Sequence, residues 1–184
     1  MDTKSKNHLV QLGNLSFTPF ITAAKINARV KELGKQIYTA HPDTCPLIIC
    51  ILNGSFIFCS DLVRAIDMDC EVQFLKVSSY EGTASTGQMK TAFDTLPELE
   101  NRKVILVEDI VDQGHTIKYL HDLFSQKPIA SLQVATLLLK PDAYRYDIPL
   151  DYVGFEIPND FVVGYGLDYD QKGRNLPDIY TLHK

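Results

Sequence analysis

The chain has 184 residues, of which 45% are hydrophobic, a size that supports one domain with a full core. Its formal net charge of -5 argues against a surface built mainly to bind nucleic acid or anionic lipid. Residues 1–13 are polar, and no later apolar run is long enough to cross a bilayer. We therefore expect a soluble, cytoplasmic protein with no nucleic-acid or membrane partner. Its four cysteines form no C-x-x-C pair, and Cys50 and Cys59 lie inside apolar runs, so we expect buried free thiols.

Helix and strand patterns alternate from the start of the chain. Thr18-Pro19 and Thr22 are helix-start signals, and apolar residues at helical spacing then predict an amphipathic helix that stops at His41-Pro42. The apolar run Leu47–Leu52 predicts a strand buried on both faces. Ser55 is expected to cap a second helix.

The same alternation continues through the middle of the chain. Residues 71–80 alternate as a strand, and the small polar residues of 81–87 predict a mobile loop. The later predicted elements are strands at 88–93, 104–107 and 131–139, a helix at 116–124, and short aromatic runs at 152–157 and 161–165. This order predicts an α/β fold, a mainly parallel twisted sheet flanked by helices, with a smaller lobe after residue 141. Ligands bind such sheets at the carboxyl ends of strands.

The segment 104–116 (VILVEDIVDQGHT) carries the strongest chemical signal in the chain. It places Glu108, Asp109 and Asp112 at the end of a buried strand and Gly114 shortly before a helix. Backbone N–H groups of such a turn, backed by a helix N-terminus, can surround a phosphate, and glycine permits close approach.

Neighbouring side chains of this segment suit a phosphorylated sugar. The Thr116 hydroxyl adds a donor to the turn, while Glu108 and Asp109 can accept hydrogen bonds from vicinal sugar hydroxyls and bind near magnesium. An ordinary strand–loop–helix junction also places acidic residues at a helix start. Two acids at the end of an apolar strand are harder to explain in that way, so the segment favours an enzyme of phosphorylated sugars.

The residues 107–116 resemble the phosphoribosyl pyrophosphate signature of the type I phosphoribosyltransferases. Three later features resemble the hypoxanthine-guanine branch of that family in order and spacing: LLLK at 137–140, VGFEIP at 153–158, and FVVGYGLDY at 161–169 followed by Arg174. The likeness runs from about residue 47 to 176. It implies the type I phosphoribosyltransferase fold with a small hood lobe.

The resemblance also implies an activity and its partners. Members of this branch transfer ribose 5-phosphate from phosphoribosyl pyrophosphate to a 6-oxopurine, here hypoxanthine or guanine, and release pyrophosphate with Mg²⁺ present. The products would be IMP or GMP, a purine-salvage reaction. Because relatives form dimers and tetramers, we expect a homodimer or homotetramer. One domain would span 1–184, with a base-binding lobe built from the N-terminal segment and about 150–184.

The resemblance assigns roles to individual residues. Asp112 would be the acid/base group that faces the purine imidazole nitrogen; a helix N-cap is the structural alternative, and the two roles are compatible. Glu108 and Asp109 would bind the ribose hydroxyls and magnesium, with Asp168 as a second magnesium ligand. The full set implied to bind substrate is Glu108, Asp109, Gln113, Gly114, His115, Thr116, Lys140, Phe161, Val162 and Asp168.

In the base site, Lys140 would donate to the purine 6-oxo group, Phe161 would stack on the ring, and Val162 would meet its edge through backbone atoms. Taken alone, Phe161 is more often a core residue. A forked arginine such as Arg174 suits pyrophosphate, although it could also be a solvated surface charge.

The remaining assignments concern the leaving group and a lid. Asn53-Gly54 matches the loop whose backbone meets pyrophosphate, and Ser79-Tyr80 begins a segment that matches a closing lid. Two residues depart from the family pattern. Gln113 replaces a small threonine in the phosphate turn, and Asn53 replaces the lysine of many relatives. We expect weaker pyrophosphate binding from the second change.

Two other functions use the same fold. A regulatory module could bind phosphoribosyl pyrophosphate or RNA without turnover, but the acidic charge and the presence of Lys140 and Asp168 disfavour it. A phosphoribosyltransferase for adenine, a pyrimidine or xanthine would differ in what Lys140 and 161–168 present to the base. A lysine donor favours a 6-oxopurine.

Overall fold

A computed structural model of the chain describes residues 9–79, 89–91 and 98–183. Its strands are β1 (Val10–Leu12), β2 (Leu15–Ile21), β3 (Leu47–Leu52), β4 (Glu71–Ser79), β5 (Met89–Thr91), β6 (Lys103–Val111), β7 (Ser131–Leu139), β8 (Tyr152–Glu156), β9 (Val162–Val163) and β10 (Ile179–Leu182). Its helices are α1 (Ala23–Ala40), α2 (Phe56–Ala65) and α3 (His115–Phe124). None of the described helices has the length and apolar character needed to cross a membrane.

The larger sheet has six strands in the order β5-β4-β3-β6-β7-β8. Strands β4, β3, β6, β7 and β8 run parallel to one another, and β5 pairs antiparallel with β4 at one edge. The predicted α/β fold with a mainly parallel sheet is confirmed. Because the central strands run in parallel, their carboxyl ends meet at one edge of the sheet.

Helices cover both faces of this sheet, which explains why β3 is apolar throughout. Its alternate residues point to opposite faces: Ile48 and Cys50 pack in the core beneath α1 and α2, whereas Leu47, Ile49 and Ile51 pack in the core beneath α3. Burial of these side chains on two faces stabilises the strand that precedes the Asn53-Gly54 loop.

The starts of α1 and α2 differ from the predictions in one respect each. The Thr22 side chain accepts a hydrogen bond from the Lys25 backbone N–H and caps α1, as predicted. Thr18-Pro19 lies inside β2, so the earlier helix-start interpretation is wrong. Pro19 sits beside a register shift in the β2–β10 pairing, a position that tolerates a residue without an N–H. Ser55 precedes α2, but its hydroxyl donates to the Ile51 carbonyl instead of capping the helix.

Strand β6 extends further than its apolar run predicts. It continues to Val111, so Glu108 and Asp109 belong to the strand and do not lie beyond its end. The strand remains paired with β7 as far as Leu139. This pairing holds the acidic side chains on rigid backbone, a more exact placement than a loop provides.

A second, four-stranded antiparallel sheet joins the two ends of the chain in the order β1-β2-β10-β9. Tyr152–Glu156, by contrast, pairs with β7 in the larger sheet. Phe17, Val163 and Tyr180 form the buried centre of the smaller sheet. The predicted strand at 88–93 is confirmed for Met89–Thr91. The predicted mobile loop at 81–87 lies outside the described residues.

Candidate active site

Three loops meet at the carboxyl edge of the larger sheet. Asn53-Gly54 follows β3, the turn 112–114 follows β6, and Lys140 follows β7. These strands are parallel neighbours, so the loops are brought together by the sheet itself. The Lys140 backbone N–H donates to the Val111 carbonyl at 2.9 Å, which ties two of the loops to each other.

The turn after β6 surrounds a cavity of about 330 Å³. Gly114 takes φ +84° immediately before α3, a left-handed conformation that glycine adopts without strain. The residues that line the cavity are Glu108, Ile110, Val111, Asp112, Gln113, Gly114, His115, Thr116 and Ile117. The cavity therefore opens onto the N-terminus of α3, where N–H groups and the helix dipole favour an anion.

Glu108 and Asp109 form an acidic pair whose carboxylates have few hydrogen-bond or charged partners among the described residues. Glu108 is 9% exposed, and its Oε2 atom has no hydrogen-bond partner among the described residues. Burial, and then the neighbouring Asp109 charge, raise the pKa of Glu108 well above its usual range. Burial also raises the pKa of Asp109 to about 6, although the Ile110 N–H at 2.9 Å and the Arg174 charge oppose this.

These two carboxylates fit a cation and hydroxyl donors. Magnesium is usually bound by one or two protein carboxylates together with substrate oxygens. The unpartnered Glu108 oxygen would gain a donor or a cation on ligand binding. Within the part of the chain that the structure describes, no group of three or more His, Cys, Asp or Glu residues could hold a metal ion.

Gly54 lies between two parts of the site. A Cβ atom on Gly54 would be 1.5 Å from Asp109 Oδ2, and one on Gly166 would be 2.1 Å from the Gly54 carbonyl oxygen. The peptide bond between Leu52 and Asn53 is cis. The loop after β3 thus packs closely against the β6 acids and the 164–166 turn. Sequence reasoning missed Gly166, although its place in Gly164-Tyr-Gly166 was visible.

Asp112 and Lys140 form an ion pair. The Lys140 Nζ donates to Asp112 Oδ2 at 2.6 Å, and the lysine side chain is only 11% exposed. Both residues also border another cavity, of about 450 Å³, whose lining shares Asp112 and Gln113 with the first. The predicted acid/base group and the predicted base-recognition donor are therefore brought into direct contact.

Asp168 and Arg174 form a second ion pair, with 2.6 Å between Oδ1 and Nη2. Arg174 Nη1 donates to the Gly166 carbonyl at 2.8 Å, and Asp168 Oδ2 accepts from the Gln171 N–H at 2.8 Å. The arginine side chain is 19% exposed, so it is not a freely solvated surface charge. The residues expected to bind magnesium and pyrophosphate are thus paired with each other.

Phe161 is 45% exposed, which excludes the core interpretation for this residue. Phe17 and Tyr169 lie beside it, with ring centroids 6.1 and 6.0 Å away. Val162 is buried in β9. An exposed ring backed by other aromatic rings can stack on a flat ligand. Phe17 and Tyr169 were missed because an aromatic residue alone does not indicate which ring it will support.

The lid assignment falls partly beyond the described structure. Ser79 is the last residue of β4, next to the antiparallel pairing with β5. Tyr80 lies outside the described residues. The roles of both residues stay predictions.

Comparisons with known proteins agree with this geometry. Residues 21–170 match the model of the phosphoribosyl transferase domain family. The hypoxanthine-guanine phosphoribosyltransferase of Bacillus subtilis is 44% identical over 163 residues, covering 88% of this chain and 91% of that protein. The Streptococcus thermophilus enzyme of the same name is 43% identical over 158 residues, covering 85% and 88%.

A solved structure shows the same likeness in three dimensions. A hypoxanthine-guanine phosphoribosyltransferase from Bacillus anthracis, with HEPES in its active site, superposes with a TM-score of 0.84. It is 38% identical, and the match covers 90% of this chain and 98% of that one. The fold, the acidic turn and these likenesses together place the chain in the hypoxanthine-guanine phosphoribosyltransferase family.

Proposed function

We propose that this site transfers ribose 5-phosphate from phosphoribosyl pyrophosphate to hypoxanthine or guanine, giving IMP or GMP and pyrophosphate in purine salvage. One observation carries the proposal most directly. Asp112 belongs to the phosphate turn and is also hydrogen-bonded to Lys140, so groups suited to a sugar phosphate and to a purine oxygen are in contact. This arrangement suits a reaction that joins the two.

The turn 112–116 is proposed to bind the 5-phosphate through backbone N–H groups, with the Thr116 hydroxyl as a further donor. Glu108 and Asp109 lie on the strand that leads into this turn. Their carboxylate oxygens would accept hydrogen bonds from the two ribose hydroxyls. The ribose would then lie between the turn and the Gly54 loop.

Asp112 is proposed as the acid/base group. In the forward reaction an imidazole nitrogen of the purine bonds to C1 of the ribose, and the bond from C1 to the pyrophosphate oxygen breaks. The purine then carries a surplus proton on its other imidazole nitrogen, which a carboxylate can accept. The electron pair of the broken bond leaves with pyrophosphate.

Lys140 is proposed to recognise the 6-oxo group of the base. An ammonium has three N–H donors, so Lys140 can keep its bond to Asp112 while another donor binds the purine oxygen. Phe161 would stack on the ring, and the Val162 backbone would meet its edge. The smaller sheet would thus be the base-binding lobe of a single domain.

Mg²⁺ is proposed as the cofactor, held by Glu108 and Asp109. When bound, it would neutralise charge that develops on the departing pyrophosphate. Asp168 and Arg174 form an ion pair with each other, at 2.6 Å. We infer that substrate binding separates them, so that Asp168 joins the metal site and Arg174, with the Asn53-Gly54 backbone, binds pyrophosphate. Ser79 and Tyr80 would begin the lid.

We also propose a homodimer or homotetramer located in the cytoplasm. Phe56 at the start of α2 and Phe74 on β4 are 43% and 55% exposed, a cost that a subunit contact would remove. The cysteines Cys45, Cys50, Cys59 and Cys70 are free thiols, as is usual in a reducing compartment. Cys50 and Cys59 are buried as expected, whereas Cys45 is exposed and Cys70 is only partly buried. Light scattering coupled to size-exclusion chromatography would measure the subunit number.

The direct test is an assay of the purified chain with Mg²⁺, phosphoribosyl pyrophosphate and one base at a time. We expect IMP from hypoxanthine and GMP from guanine, and little product from adenine or pyrimidines. Formation of no nucleotide from any base would contradict the proposal and favour a regulatory, ligand-binding module. Omission of Mg²⁺, with EDTA present, should abolish product formation.

A further inference from the structure

The segment that follows Lys140 packs directly against the phosphate turn. A Cβ atom on Gly114 would lie 2.3 Å from Cε2 of Tyr144 and 3.1 Å from Cδ2 of Tyr146. The Tyr144 hydroxyl donates to the Ile148 carbonyl at 2.8 Å, which closes the segment on itself. The rings of Tyr144 and Tyr146 meet edge to face, with centroids 6.4 Å apart. The two tyrosines therefore form one wall behind the turn.

A chain of hydrogen bonds joins this wall to the side chains of the turn. His115 Nδ1 lies 2.7 Å from the Tyr146 hydroxyl, and His115 Nε2 lies 3.0 Å from Gln113 Oε1. An amide oxygen can only accept, so Nε2 carries the hydrogen and donates to Gln113. In the neutral imidazole, Nδ1 is then the acceptor for the Tyr146 hydroxyl. The His115 and Tyr146 rings also meet edge to face, at 5.7 Å.

These hydrogen bonds engage both ring nitrogens of His115 and the amide oxygen of Gln113. His115 then serves the phosphate through its backbone N–H group. Gln113 keeps its amide N–H₂ donor as well as its backbone N–H, and its amide oxygen holds the His115 ring. The direction of backbone N–H groups depends on how firmly the turn is held.

We propose that Tyr146, acting through His115 and Gln113, is a positioning residue for the phosphate turn, while Tyr144 supports Gly114 from behind. The proposal deepens the function given above, because the 5-phosphate it concerns belongs to that reaction. It also gives Gln113 a role: the amide replaces a small hydroxyl residue, and its oxygen fixes the orientation of His115. Binding of the phosphate end of the substrate should depend on the Tyr146 hydroxyl, and binding of the free base should not.

Two variants test this dependence. Tyr146→Phe removes the hydroxyl and keeps the ring, and His115→Phe keeps a ring beside Tyr146 but removes both nitrogens. A matched control is Tyr38→Phe, because the exposed Tyr38 on α1 has no side-chain hydrogen bond among the described residues. Loss of one positioning hydrogen bond should raise KM for phosphoribosyl pyrophosphate about 3- to 10-fold. KM for hypoxanthine and kcat should change less than about twofold, and Tyr38→Phe should match the wild type.

The double variant distinguishes a linked chain from two separate contacts. If Tyr146 acts through His115, the double variant should raise KM for phosphoribosyl pyrophosphate no further than the stronger single variant does. If the two single-variant increases in KM multiplied in the double variant, Tyr146 would not act through His115. An unchanged KM in both single variants, or an equal rise in KM for phosphoribosyl pyrophosphate and hypoxanthine, would overturn the proposal.

A binding measurement separates this inference from the proposed function. Calorimetric titration with ribose 5-phosphate requires no turnover. We expect Tyr146→Phe to weaken ribose 5-phosphate binding about 3- to 10-fold while Tyr38→Phe leaves it unchanged. Equal affinity in wild type and Tyr146→Phe would overturn the positioning role. A wild-type protein that forms no nucleotide but shows the Tyr146 effect on ribose 5-phosphate would contradict only the proposed transfer reaction.

Discussion

At the scale of single residues, the main charged groups of the site are paired with one another. Lys140 donates to Asp112, and Arg174 donates to Asp168, each at 2.6 Å. A buried or half-buried charge is costly without a partner, so these pairs stabilise the charged side chains of the site. A purine oxygen can bind a remaining donor of Lys140, and pyrophosphate can take the place of Asp168 beside Arg174.

Lys140→Met tests the base-recognition role of the lysine. Methionine keeps much of the side-chain length but removes the donors, and a hydrogen bond to a charged group contributes about 1.5–3 kcal/mol. We expect KM for hypoxanthine and guanine to rise about 10- to 100-fold, with a smaller change for phosphoribosyl pyrophosphate. Steady-state kinetics with each base measures this.

The control for that variant is Lys118→Met, which removes a lysine paired with Asp122 on the exposed side of α3. Exposed pairs of this kind contribute little, so its kinetics should match the wild type. If Lys140→Met left both KM values for the bases unchanged, Lys140 would have no part in recognising them.

At the scale of elements, the sequence predicts the strands whose side chains are buried. It misses the strands that form because a partner far along the chain pairs with them. The wholly apolar run of β3 and the mainly apolar run of β7 identify strands with correct bounds, because both faces are buried along β3 and along residues 134–139 of β7. Strand β2 has a mixed pattern and contains Pro19, and it exists because β10, far along the chain, pairs with it. Distant partners of this kind leave no local signal, which also explains why the Tyr146–His115 contact could not be predicted.

Gly54→Ala tests whether the loop after β3 supports the acidic strand. The added methyl group would occupy the position of Asp109 Oδ2, so the carboxylate or the loop must shift. A displacement of about 1 Å in a reacting site can cost on the order of a hundredfold in rate. We expect kcat/KM to fall at least about tenfold, with a lower melting temperature as well.

Ser60→Ala on the exposed side of the following helix is a suitable control, because it changes a surface residue near the same loop. Its activity and melting temperature should match the wild type within error. Wild-type kinetics for Gly54→Ala would show that close packing between the loop and Asp109 is not needed for activity.

At the scale of the whole molecule, the acidic pair makes the ligand-free protein less stable than its core would permit. The raised pKa of Asp109, about 6 against an ordinary 3.8, means that the folded state binds this proton more tightly than the unfolded state. The resulting stabilisation is complete below about pH 4 and is lost as the pH rises through about 6. The raised pKa of Glu108 acts in the same direction.

Asp109→Asn should therefore stabilise the ligand-free protein at pH 8 by about 1–2 kcal/mol, since the partly exposed side chain gives less than the full effect of the pKa shift. The expected rise in melting temperature is about 2–8 °C. At pH 4 the difference should nearly vanish. Thermal unfolding with EDTA across this pH range measures it, with Asp122→Asn as a surface control. A destabilised Asp109→Asn at pH 8 would contradict this account of the buried charge.

Proton exchange between Asp112 and the purine is the step on which the proposed reaction most depends. Steady-state kinetics of Asp112→Asn, beside the control Asp67→Asn at an exposed position after α2, tests it most directly. We predict that kcat for IMP formation falls about a hundredfold to ten-thousandfold in Asp112→Asn, while KM for phosphoribosyl pyrophosphate changes only a few fold. Asp67→Asn should retain wild-type turnover. Unchanged kcat in Asp112→Asn would show that Asp112 does not exchange a proton with the purine and would remove it from the mechanism.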